Sequence, residues 1–276
     1  MYKILPILLF AYGLALTTED IYDNSYALVI GISEYQNTSH LNYGASDAET
    51  IQNLLITHFD FPEENTRLLI NEDATKNNIR RAFSDFMKVI GENDRLLIYF
   101  SGHGQTVSAV ESGMQIGYLI PVNGDLNDPI INSISMDEIL FLCQSKSKHM
   151  LFLMDACYSG LMAEGPKGLK RIEANDVEYI SSVANVSARQ IITAGSAEQI
   201  SWESGKIQHG IFTLNVLNAL NNWEADNYYE DGYITATELG EYLKIAVFDE
   251  SGGRQTPQTE RIKRSKLSEF IFSRIP

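Results

Sequence analysis

The feature that most constrains this chain is a recurring unit, a short unbroken apolar run followed by a stretch with helical periodicity. YALVIGISEY (Tyr26 to Tyr35) is read as a strand and ASDAETIQNLL (Ala45 to Leu55) as the amphipathic helix after it. RLLIN (Arg67 to Asn71), TKNNIRRAFSDFMKVI (Thr75 to Ile90) and RLLIYF (Arg95 to Phe100) repeat the order strand, helix, strand. LFLM (Leu151 to Met154) and QIITA (Gln190 to Ala194) supply a fourth and a fifth strand. Runs that are apolar on both faces suit parallel strands covered by helices on each side. Strand, crossover helix, strand units build an α/β fold with a mainly parallel central sheet. Two helices, around Phe212 to Leu220 and Ala236 to Ala246, close the chain. At 276 residues and 44% hydrophobic composition one main domain is expected.

Two of these strands end in residues that carry chemistry. The run of Leu151 to Met154 continues as DACYSG, which sets Cys157 just beyond the strand's carboxyl end. The third strand ends in YFSGHGQ, with His103 between Gly102 and Gly104. In open α/β sheets ligand crevices form at the carboxyl ends of strands. If the two strands are neighbours, a thiol and an imidazole face each other on rigid supports. A thiol is weakly ionised near neutral pH, and an adjacent imidazole can take its proton or stabilise the thiolate. The glycines let the backbone approach a substrate, and the amides of Gly104 and Cys157 are candidate donors to an oxyanion. Taken alone, Cys157 reads as a core residue and His103 as an ordinary strand-end histidine. The second cysteine, Cys143, falls in a helix over Met136 to Cys143 and is read as structural. Two cysteines make no disulfide framework, so both are treated as free thiols.

The order SGHGQ then DACYSG resembles the caspase-type cysteine peptidases of family C14, in their metacaspase, paracaspase and bacterial caspase-like branch. YALVIGISEY, LNYGASDA (Leu41 to Ala48), ITAGSAEQISWE (Ile192 to Glu203) and HGIFTLNVLNAL (His209 to Leu220) resemble the family's other blocks in the same order, over roughly Tyr26 to Leu243. The resemblance implies a caspase-like three-layer αβα sandwich over 24–276 and an endopeptidase with a Cys157 and His103 dyad. DACYSG lacks the Gln-Ala-Cys pattern of animal caspases. The acid two residues before the nucleophile, Asp155, and the acid of the first helix, Asp47, are implied as the floor of a pocket for Arg or Lys, with Arg preferred. The alternative readings are a helix cap for Asp47 and a partner for loop amides for Asp155. Tyr158 stands where metacaspases often carry His. A catalytically silent scaffold on this fold, or another thiol hydrolase, is the alternative function.

The remaining features bound partners and location. A net charge of −15 argues against a nucleic-acid backbone as partner and favours cationic protein or peptide substrates. Residues 1–20, with Lys3 and an apolar stretch from Ile4 to Leu16, have the layout of a secretory leader, so export is expected, with a buried or membrane-associated helix, and a membrane-associated or cytoplasmic protein, as the alternative. The stretch is too short for a stable membrane span. Residues 162–189, polar and aperiodic, are expected to form an exposed linker between a larger and a smaller part. Self-cleavage there is expected after Lys170 or Arg171, with Arg189 weaker. The dyad requires no cofactor. Metacaspase-like enzymes are often calcium-stimulated, and the loop acids Asp125 and Asp128 could contribute, but no liganding pattern is convincing and the metal question stays open. NYYEDGYITATE (Asn227 to Glu238) has an EF-hand-like outline, yet Tyr229 displaces an oxygen ligand, and Thr235 with Glu238 makes a capping box instead.

Overall fold

The computed structural model describes residues 16–108, 115–156, 176–195, 203–204, 208–226, 230–262 and 268–273. The first half alternates as expected: α1 (Thr18–Ile21), β1 (Ser25–Gly31), α2 (Gly44–His58), β2 (Thr66–Ile70), α3 (Lys76–Val89) and β3 (Arg95–Ser101). A small antiparallel unit follows, β4 (Gly104–Ser108), β5 (Gln115–Leu119), α4 (Pro129–Asn132) and β6 (Ile134–Ser135), leading into α5 (Met136–Leu142) and β7 (His149–Asp155). The remainder comprises α6 (Asp176–Ala184), β8 (Ala188–Thr193), the short β9 (Glu203–Ser204) and β10 (His209–Gly210), α7 (Ile211–Asn221), β11 (Tyr233–Thr235), α8 (Ala236–Glu250), β12 (Gln258–Arg261) and β13 (Ile271–Ser273).

The central sheet runs β12-β8-β7-β3-β1-β2, with every pair parallel except β12 on β8. Successive strand residues point to opposite faces, and each face has its own core. Leu28, Ile30, Leu96, Ile98, Met150 and Phe152 join one cluster with Phe83 of α3 and Ile139 of α5. Their neighbours Ala27, Val29, Leu97, Tyr99, Leu151 and Leu153 join the other, with Ile51 of α2, Phe212 of α7 and Leu239 of α8. This is the three-layer sandwich that the apolar runs imply.

Several expectations are revised. The first strand stops at Gly31, and the following residues fold back as a loop in which Leu41 N–H bonds to Ser33 O and Gln36 N–H to Val122 O. The expected linker of 162–189 is shorter, since α6 occupies Asp176–Ala184 and β8 begins at Ala188. Ile180 and Val183 of α6 are buried against Ile21, Tyr22 and Ile271. Arg189 is buried in β8, its guanidinium donating to the carbonyls of Cys143, Ser145, Ser147 and Lys148, and so is no cleavage site in the folded chain. Lys170 and Arg171 lie outside the described residues. The leader expected over 1–20 overlaps the fold, because Thr17 and Asp20 form a capping box on α1 and Leu16 O accepts from Tyr233 Oη. Residues 1–15 lie outside the described residues, and among the described ones no helix is long and apolar enough to cross a membrane. Thr235 and Glu238 form the capping box read from the sequence, which occupies the Glu238 carboxylate.

Candidate active site

β3 and β7 are adjacent and parallel, in register from Arg95 opposite His149 to Ser101 opposite Asp155, and Gly102 N–H continues the ladder to Asp155 O at 3.2 Å. Every pair is offset by 54 residues, the same number that separates His103 from Cys157. Cys157 lies one residue beyond the last described residue of this segment, Ala156, and so outside the described residues.

His103 is held by the loop that follows β1. Its Nε2 is 2.8 Å from Ser39 O. A carbonyl oxygen only accepts, so Nε2 carries the hydrogen and Nδ1 is the basic nitrogen of the neutral ring. The ring of Tyr35 packs against the imidazole with centroids 4.7 Å apart. Gly104 pairs with Leu119 in the β4 and β5 hairpin, next to the bond from Ile120 N–H to His103 O. Hydrogen-bonded and non-hydrogen-bonded pairs alternate in an antiparallel ladder, so Gly104 N–H points away from β5. Gly102 also makes room for a neighbouring side chain: a Cβ there would meet Tyr35 Oη at 2.5 Å.

The two acids converge. Asp47, on the first turn of α2, is 1% exposed, and Asp155, at the end of β7, is 5% exposed. Asp47 Oδ1 accepts from His209 Nδ1 at 2.5 Å and Oδ2 from Gly210 N–H at 3.0 Å. Asp155 Oδ2 accepts from Thr213 Oγ1 at 2.7 Å, which is in turn 2.6 Å from Tyr99 Oη. A Cβ on Gly210 would lie 2.7 Å from Asp155 Oδ2 and 3.2 Å from Asp47 Oδ2. The absence of a side chain at 210 is what lets both carboxylates approach one point. Burial, with the charges of Asp47 and Asp155, pushes the Tyr99 phenol well above its usual range, so it stays a neutral hydrogen-bonding group. Asp47 is not the cap of α2, whose N-cap is Tyr43.

Sequence reasoning gave no role to Ser39, His209, Gly210, Thr213 or Tyr99. His209 and Gly210 open a recognisable block, but their partner Asp47 is 162 residues away, and no local pattern announces such a bond. Cys143 is structural, as read: its thiol donates to Ile139 O, and burial pushes it up to about 12, which leaves essentially no thiolate.

Residues 24–268 match the caspase domain of peptidase family C14. The chain belongs to that family. Among caspase-domain relatives it is 28% identical to Metacaspase-1 of Eremothecium gossypii over 192 residues, 64% of this chain and 42% of the relative. It is 26% identical to Metacaspase-1 of Debaryomyces hansenii over 73% of this chain and 46% of that one. Metacaspase-6 of Arabidopsis thaliana is likewise 26% identical, over 62% of this chain and 48% of the relative. The match thus spans less than half the length of these relatives. A crystal structure of a Geobacter sulfurreducens protein superposes with a TM-score of 0.61 over 90% of this chain and 97% of its own, at 15% identity, a likeness of fold.

Proposed function

We propose that this caspase-domain chain is a cysteine endopeptidase that cleaves after arginine and lysine, with Cys157 as nucleophile and His103 as acid and base. The observation that carries this is the shared offset of 54 in the β3 and β7 register, together with a His103 whose Nε2 is committed to Ser39 O. Nδ1 takes the proton of the Cys157 thiol, and the thiolate attacks the substrate carbonyl carbon. The amides of Gly104 and Cys157 are the proposed donors to the oxyanion. His103 then gives the proton to the departing amine and activates the water that hydrolyses the thioester.

Asp47 and Asp155 are proposed to bind the substrate cation. Their burial and approach to one point beside Gly210 support this, since a guanidinium can bond two carboxylates through its planar fork and a compact ammonium does so less well. A panel of small amide substrates ending in Arg, Lys, Asp or a neutral residue tests the specificity. Arg is expected first, Lys second and Asp not at all, and Asp155→Asn is expected to lower kcat/KM on Arg by at least tenfold more than on the neutral probe. Efficient cleavage after Asp with none after Arg would overturn the pocket assignment. The amino-terminal leader is proposed to direct export with cleavage no later than Leu16, because Thr17 caps α1. The amino-terminal sequence of exported protein checks this, and a terminus within α1 would contradict it.

A further inference from the structure

We propose that Tyr35 is a positioning residue for the base, acting as a strut that fixes both the backbone and the ring of His103. This rests on the peptidase reading, which assigns His103 its role. His103 and Ile120 sit opposite each other where the β4 and β5 hairpin begins, and such a pair ordinarily exchanges two direct backbone bonds. Only one is direct, Ile120 N–H to His103 O at 3.0 Å. In the other, a side chain is inserted: His103 N–H donates to Tyr35 Oη at 2.7 Å, and the Tyr35 hydroxyl donates to Ile120 O at 3.3 Å. The same phenol ring packs on the imidazole. Four residues later the loop supplies Ser39 O to Nε2. One short segment therefore grips the base at its amide, its ring face and its far nitrogen.

Two further observations fit a dedicated strut. Tyr35 is 3% exposed, and burial pushes its phenol above the usual range, so the hydroxyl keeps its proton and can accept and donate at once. Gly102 leaves the hydroxyl its space, since a Cβ there would meet Oη at 2.5 Å. Removing the oxygen leaves His103 N–H and Ile120 O either unbridged or drawn together, and both results shift the imidazole. Displacements of about 1 Å in a reacting pair can cost on the order of a hundredfold in rate.

The test is Tyr35→Phe in the full chain, read by steady-state kinetics on an Arg amide and by NMR of the His103 imidazole. We expect kcat to fall roughly 10- to 100-fold with KM within about twofold, and the Nε2–H signal, protected by Ser39 O in the wild type, to exchange faster. The imidazole signal needs no peptidase activity, so an inactive wild type whose Nε2–H still responds to Tyr35→Phe would sink the peptidase reading and leave the strut standing. A folded Tyr35→Phe protein with wild-type kcat, or with lowered kcat but an unchanged imidazole signal, would overturn the strut. Should Tyr35→Phe fail to fold, Gly102→Ala, which drives a methyl group toward the hydroxyl, is expected to change the same two readouts in the same direction. No change in either would be contrary to the proposal.

Discussion

Gly210 is the residue at which the backbone admits two buried carboxylates at once. Its N–H holds Asp47 Oδ2, and a methyl group in its place would press on both acids. If Asp47 and Asp155 bind the substrate cation as proposed, Gly210→Ala is expected to lower kcat/KM on Arg substrates by roughly 10- to 100-fold, mainly through KM, because such a pocket would hold ground state and transition state alike. Alkylation of Cys157 by a small uncharged reagent, which does not use the pocket, should be unchanged. Equal losses in both measurements would mean that the substitution distorts the dyad instead. At the same scale, Thr213 sits in an apolar helix yet is fully buried, bonded to Asp155 on one side and Tyr99 on the other. A buried hydroxyl among apolar neighbours is the kind of signal from which the second layer of the pocket could have been suspected.

The elements that were legible in the sequence are those whose burial is continuous. β3 and β7 are buried along their whole length, so their interiors, Leu96 to Phe100 and Met150 to Met154, are runs of apolar and aromatic residues, and glycine and acid follow at their ends. β4 is half-exposed, and its Gly104, Gln105 and Thr106 carry no such pattern. α6 packs Ile180 and Val183 against Ile21, Tyr233 and Ile271, while its Asp176, Glu178, Ser181 and Ser182 leave the sequence polar enough to pass for linker. The candidate site divides the same way: His103, Asp47 and Asp155 stand at strand ends and a helix start, and Cys157 follows β7 by two positions in the sequence, whereas Tyr35, Ser39 and His209 act through contacts distant in sequence. Element boundaries also govern cleavage. Since Arg189 belongs to β8, we propose that the enzyme cuts itself after Lys170 or Arg171, between β7 and α6. β7 and β8 pair along six positions, and Arg95 donates to Ile271 O, so both products should stay associated. Amino-terminal sequencing of wild type and Cys157→Ala, purified side by side, checks this. New termini after Lys170 or Arg171 in the wild type alone are expected. A fully active but intact chain would rule out required processing, and the same cut in both proteins would point to another protease.

Across the whole molecule, both ends of the described chain meet on the central sheet. Arg95, fully buried between the rings of Tyr22 and Phe61, donates to Ser25 Oγ and to the carbonyls of Phe59 and Ile271. His149 of β7 has Nε2 2.9 Å from Val186 O and Nδ1 2.6 Å from Tyr22 Oη, which in turn accepts from Ile271 N–H. Every site on the neutral ring is filled, and burial pulls His149 from 6.5 down to about 3. Between those values the unfolded chain binds a proton that the folded one refuses. This contribution to stability is therefore present above pH 6.5 and is lost as the pH falls toward 3, with a slope of at most about 1.4 kcal/mol per pH unit. Glu260, half-buried and pushed up to about 7, acts in the opposite sense as the pH rises from 4.5. Denaturant titrations of wild type and His149→Gln across this range isolate the histidine: the variant should be less stable at pH 7 and show a shallower acid slope, and parallel curves would contradict the assignment.

The central claim is that Cys157 and His103 act as one unit on a peptide bond. Its most direct measurement is the turnover of an Arg amide substrate by wild type, Cys157→Ala, His103→Ala and the double variant, each shown to be folded. Groups that work together lose nearly everything when either is removed. Each single variant is expected to fall by at least a thousandfold, roughly to the background left by binding alone, and the double variant to be little worse. A folded Cys157→Ala protein with wild-type turnover, or losses that simply multiply in the double variant, would contradict it.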